Sequence, residues 1–143
     1  MIPVKASGWF NTELSEEERR ALVIAGLTPV NDVFIPLFKE YAKIRLLYGG
    51  RGGGKSEAIA DYLIDNCLTE PYFKCYYGRK VFEDVRGSCF DTLIYSIKKR
   101  NLQSQFNYSE ANTSTMVITA KNGNKLIPFG ADKAVRLKSI KDP

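Results

Sequence analysis

Histidine is absent from all 143 residues. Its absence removes Ser/His and Cys/His nucleophilic arrangements, leaving carboxylates, lysine, arginine, tyrosine and bound metal as chemical tools. Cysteine is scarce: Cys67, Cys75 and Cys89 are odd in number and widely spaced. Neither a disulfide framework nor a zinc site is expected of them, and they read as reduced, part-buried fillers. No apolar run approaches the roughly 20 residues of a spanning helix. The start, Met1-Ile2-Pro3-Val4-Lys5, does not follow the charged-then-apolar pattern of a signal peptide. These absences predict a soluble, intracellular protein with no membrane partner.

What remains is an ordinary globular composition, 44% hydrophobic and 26% charged, with enough chain for one core. The net charge of +5 is unevenly spread: residues 1–48 hold six basic and six acidic side chains, residues 49–143 fifteen and ten. An excess downstream of Gly49 suits a phosphate-rich partner such as nucleotide or nucleic acid, or simply a soluble basic surface. Lys98-Lys99-Arg100 is its densest cluster, readable as a DNA contact or as a solvated helix end.

Helical spacing predicts a first helix over Thr12 to Ala25, capped by Thr12 or Ser15 with Glu16, Glu17 and Glu18 at its favourable end. A short helix or irregular turn is expected over Asn31 to Tyr41. Lys43 to Tyr48 reads as a strand, Ser56 to Leu68 as a helix with Ile59, Tyr62, Leu63 and Cys67 on one face, and Tyr72 to Tyr77 as a second strand. Val81, Val85, Cys89, Leu93 and Ile97 recur every four residues, predicting one long helix over Val81 to Asn101. Thr115 to Lys121 and Lys125 to Phe129 flank Asn122-Gly123, a hairpin-turn dipeptide. The order strand, helix, strand, helix, hairpin predicts an α/β domain.

Gly49-Gly50-Arg51-Gly52-Gly53-Gly54-Lys55-Ser56 fits G-x-x-x-x-G-K-[ST] at every specified position. A strand is expected before it and a helix after it, as the chemistry requires. Glycines let backbone N–H groups approach the phosphates, Lys55 reaches the β- and γ-phosphates, and Ser56 offers its hydroxyl to Mg²⁺. A nucleotide with Mg²⁺ is therefore the expected ligand, the alternative being a flexible glycine loop with an incidental lysine. Arg51 could fold over the γ-phosphate or point into water. Asn31, Phe34 and Phe38 could offer an amide and a ring to the adenine, although helical spacing favours core packing for the two phenylalanines. No apolar run ending in Asp and Glu supplies a convincing second motif: Asp61 falls in the helix after the loop, Asp84 at the opening of the next helix and Asp132 in a turn.

The loop Tyr48 to Ser56 resembles the Walker A segment of the large terminase subunits of tailed bacteriophages, particularly the PBSX-like branch. Asn31 to Phe38 resembles the segment leading into the first strand. Arg79-Lys80-Val81 is similar to the arginine motif after the second strand, and Ser88 with Phe90 to a pair on the following helix. Asn122-Gly123 and Phe129 to Ile140 resemble the hairpin and the loop before Walker B. Gly53 stands where that family's loop typically carries Ser.

The resemblance implies an α/β P-loop NTPase fold, RecA/ASCE-like, with a β-hairpin and cut short before the Walker B strand. Residues 1–30 would form an N-terminal helical extension and residues 31–143 a partial P-loop ATPase domain. It implies the ATP-binding portion of a motor that drives double-stranded DNA into procapsids in the bacterial cytoplasm. Partners would be the small terminase subunit, the portal and further copies of the chain. A non-catalytic nucleotide-binding or docking module of the packaging machinery is the alternative. Arg51 matches a loop arginine acting within its own subunit. Arg136 lies near an arginine finger offered to the neighbouring subunit, or is solvated surface. Without a Walker B acid, ATP hydrolysis by residues 1–143 alone is expected to be poor, and an unpaired edge beside the first strand is expected to be exposed.

Overall fold

A computed structural model describes residues 14–24, 31–110 and 116–132. The chain divides into two compact units, residues 1–65 and 66–143. Arg136, Thr12 and residues 133–140 of the stretch resembling the loop before Walker B lie outside the described residues.

In the first unit, α1 (Glu16–Ile24) begins with a reciprocal cap. The Ser15 N–H donates to Glu18 Oε2 at 2.8 Å and the Glu18 N–H to Ser15 Oγ at 3.2 Å. Two otherwise unpaired donors are thereby satisfied, and hydrogen bonding from the Ser15 N–H, with a further contribution from its side chain, holds the Glu18 carboxyl below its usual range. Ser15, one of the two caps the sequence offers, is used. A 3₁₀ turn over Asp32–Phe34 leads into α2 (Ile35–Lys39). Pro36 fits there because an amide at that end has no helical acceptor.

Lys43 to Tyr48 is not a strand. The segment has no ladder partner among the described residues, and Ile44, Leu46 and Tyr48 are 78%, 85% and 94% exposed. Its β-compatible composition is not enough, because a strand exists only through hydrogen bonds to a neighbour. The strand expected here does not form, so the sheet edge expected beside it is not realised either.

The helix after the glycines, α3 (Lys55–Thr69), is in place, but its buried face differs from the expected one. Ala58, Ala60, Asp61, Ile64, Asp65 and Cys67 are buried, while Ile59 is 40% exposed. Asp61 and Asp65 thus share the buried face of the helix. Both carboxylates are partnered in the structure, which is the condition under which such groups are buried.

The second unit holds a mixed four-stranded sheet in the order β1 (Lys74–Arg79), β4 (Lys125–Gly130), β3 (Ile118–Ala120), β2 (Phe106–Asn107). β1 and β4 are parallel, with Lys74 opposite Lys125 and Gly78 opposite Phe129; the other pairs are antiparallel. Pro128 is tolerated in β4 because the β3 pairing ends at Leu126. The expected hairpin forms: the Gly123 N–H donates to Ala120 O, and Gly123 has a φ of 92°. This is a three-residue turn closed by a left-handed glycine.

The long helix expected over Val81 to Asn101 is divided. A 3₁₀ turn (Phe82–Asp84) and a π-helical turn (Arg86–Phe90) precede α4 (Asp91–Lys99). A four-residue repeat exceeds the turn of an α-helix, so an unbroken helix would rotate its apolar stripe by about 40° per repeat. The wider π turn absorbs that drift, leaving Val85, Phe90, Leu93, Ile94 and Ile97 buried. Ser88 Oγ and Thr92 Oγ1 donate to the carbonyls of Asp84 and Ser88, competing with the backbone there. Nor is Lys98-Lys99-Arg100 a uniformly solvated helix end: Arg100 is 7% exposed and Lys98 pairs with Glu110 at 2.6 Å. The three cysteines are free, Cys67 buried and Cys75 and Cys89 half-buried. Among the described residues no helix is long and apolar enough to cross a membrane.

Candidate functional site

The glycine loop leads directly into the first turn of α3, and three of its glycines occupy the left-handed region: Gly49 at φ 146°, Gly52 at 75° and Gly54 at 76°. A side chain at any of these would be strained, so the loop conformation depends on glycine. The first bond of α3 runs from the Ala58 N–H to Gly54 O at 2.9 Å. The N–H groups of Lys55, Ser56 and Glu57 precede it and have no acceptor within the helix, leaving a positive end directed at the loop.

Lys55 is half-buried and bends back over the loop. Its Nζ donates to the carbonyls of Gly49 at 3.0 Å and Gly50 at 2.7 Å. The ammonium thus sits within the ring of backbone, held by neutral acceptors that an anion would outcompete. Ser56 is the next residue of α3 and is exposed. Arg51 is exposed at the turn of the loop, with no hydrogen bond or ion pair among the described residues.

Of the upstream candidates, Phe34 is brought to the loop: a Cβ on Gly54 would lie 3.6 Å from its Cε2. Asn31 caps the 3₁₀ turn, its Oδ1 accepting from the Val33 N–H at 3.0 Å. Phe38 packs edge to face on Tyr62, with centroids 5.7 Å apart, as its spacing suggested. Phe34, Leu37, Ile44, Arg45 and Leu47 help line a cavity of about 330 Å³.

Sequence reasoning missed Arg45. Its guanidinium donates to Tyr62 Oη at 2.7 Å and to Glu40 O at 2.8 Å, and lies 5.2 Å from the Tyr62 ring centroid. It ties the segment leading into the loop onto α3, so chain entry and exit are fixed together. An arginine in a β-compatible run carries no local signal of this, because its partner lies 17 residues away.

Residues 41–142 match the family model of the phage terminase large subunit. The chain belongs to the phage terminase large subunit family. The matched stretch covers the glycine loop, α3, the sheet and the hairpin, and the family's role lies in phage DNA packaging. Terminase large subunits are generally ATPases. No curated protein matches the chain.

Proposed function

We propose that this terminase chain is the ATP-binding portion of the packaging motor, with a P-loop fold of the RecA/ASCE type and a place in the PBSX-like branch. The loop geometry supports this: three left-handed glycines, unpaired N–H groups at the start of α3, and Lys55 Nζ held 2.7–3.0 Å from two loop carbonyls. That donor set fits a triphosphate, offering positive charge and N–H groups with no carboxylate in the loop.

On ATP binding, Lys55 exchanges the Gly49 and Gly50 carbonyls for β- and γ-phosphate oxygens. The N–H groups of Gly52 to Ser56 line the phosphates, and the Ser56 hydroxyl is placed to hold Mg²⁺. Held by that hydroxyl, Mg²⁺ would supply neutralisation of the charge developing on the phosphates. Arg51, exposed and unpartnered, is free to turn over the γ-phosphate, and Phe34 beside Gly54 is available to the base, with Asn31 next to it. Arg136 is the candidate for a finger reaching a neighbouring subunit. The work done is movement of double-stranded DNA into a procapsid in the bacterial cytoplasm, as a ring of copies acting with the portal and the small subunit.

Titration of ATP with and without Mg²⁺, on the wild type and on Lys55→Ala, tests the reading. Saturable binding lost in the variant, with its circular dichroism unchanged, is the expected result. Equal affinity in the two proteins would overturn it.

A further inference from the structure

The parallel register places Lys74 directly beside Lys125, and residues paired in this way point to the same face of the sheet. Adjacent like charges on one sheet face repel. Among the described residues neither lysine forms an ion pair, and the recorded contact of Lys74 Nζ is with the Tyr76 ring, 5.7 Å from its centroid. A cavity of about 300 Å³ opens beside the pair, lined by Tyr72, Phe73, Lys74, Gly123, Lys125 and Ile127, with no acidic residue among them. Tyr72 is 65% exposed at its rim.

The backbone here is committed elsewhere. The Phe73 N–H donates to Asn124 Oδ1, the Lys125 N–H to Phe73 O, the Asn124 N–H to Asn122 Oδ1 and the Gly123 N–H to Ala120 O. A ligand there would be met by side chains, and those lining the cavity that can donate are Lys74, Lys125 and Tyr72. Two cations with three donors each call for an anion with several acceptor oxygens and more than one site of contact. The frame is also rigid, since Asn122 and Asn124 tie the turn to the Cys67 and Glu70 carbonyls.

We propose that Lys74, Lys125 and Tyr72 form a phosphate-binding site at the amino-terminal ends of β1 and β4, built from residues other than the glycine loop. The phosphate is either a free anion or part of a nucleic-acid backbone. The proposal does not rest on ATP binding at Lys55.

Amide NMR of the ¹⁵N-labelled chain tests it, with inorganic phosphate added at constant ionic strength and, separately, a short DNA duplex. Saturable shifts of the amides of residues 72–74 and 123–127 are expected, with half-saturation raised at least about tenfold in Lys74→Gln and in Lys125→Gln, as for loss of a charge-assisted hydrogen bond. Response to phosphate identifies a free-anion site; response to duplex alone identifies a backbone contact. No saturable shift with either, or shifts unchanged in both variants, overturns the proposal. Loop binding is read from residues 49–56 in the same spectra, so the two sites fail or succeed separately. Lys125→Glu supplies a second readout: by replacing repulsion with attraction it should raise the thermal midpoint while abolishing the phosphate response. A lowered midpoint together with a retained response would also overturn the proposal.

Discussion

Asn124 Nδ2 donates to the carbonyl of Cys67 at 3.0 Å, joining residues 57 apart in sequence. The same amide donates to Glu70 O at 2.8 Å, and Asn122 Nδ2 reaches Cys67 O at 2.8 Å. Carbonyls in the last turn of a helix have no acceptor role left within it, so the hairpin turn supplies to α3 the donors its own sequence does not. Asn124 Oδ1 also accepts from the Phe73 N–H at 2.8 Å, binding the approach to β1 into the same knot.

Asn124→Ala should therefore destabilise the protein by about 2–4 kcal/mol, because Asn124 is 4% exposed and its loss strips partners from buried groups. Asn122→Ala should cost about 0.5–1.5 kcal/mol, since Cys67 O keeps Asn124. Urea unfolding of the two variants measures the difference. Equal midpoints would show that the turn does not depend on Asn124.

Gly78 faces Phe129 across the parallel pair, and a Cβ there would lie 2.0 Å from the Phe129 carbonyl oxygen. Gly78→Ala must push the strands apart, at an expected cost of about 2–4 kcal/mol. Gly87, exposed in the π turn, has nothing within 4 Å of the same atom. Gly87→Ala should instead stabilise by about 0.4–1 kcal/mol by restricting the unfolded chain. Thermal unfolding should move in opposite directions for the two.

The segment from Ile44 to Tyr48 has no ladder partner among the described residues and exposes Ile44, Leu46 and Tyr48, which makes it a template for strand addition. Wild-type chain should associate with rising concentration in sedimentation velocity, and Leu46→Lys should suppress this without changing the far-ultraviolet spectrum. Identical sedimentation of the two proteins would remove this segment as the cause.

Burial, with a smaller contribution from Cys75, pushes the Cys67 thiol up to about 12 from its ordinary 9.0. Above the unfolded value the unfolded chain gives up this proton and the native state keeps it, so stability should fall as pH rises from 9.0 toward 12. Cys67→Ser or Cys67→Ala should flatten that part of the stability profile. At mildly alkaline pH, iodoacetamide should modify Cys67 in the native protein far more slowly than in urea. Equal rates in the two states would show that the thiol is not buried.

The glycine loop, the turn at Gly123 and the cap at Ser15 were legible in the sequence because each is decided by a few neighbouring residues. Left-handed dihedrals need glycine, and a serine three residues before a glutamate can satisfy both N–H groups by itself. The register of Lys74 on Lys125, the burial of Asp61, Asp65 and Arg100, and the hold of Arg45 on Tyr62 were not legible. All depend on partners brought together by folding, and no spacing rule encodes them. Lys43 to Tyr48 shows the boundary between the two kinds of information. Its residues favour an extended backbone, but a ladder needs a second strand, and among the described residues none is supplied.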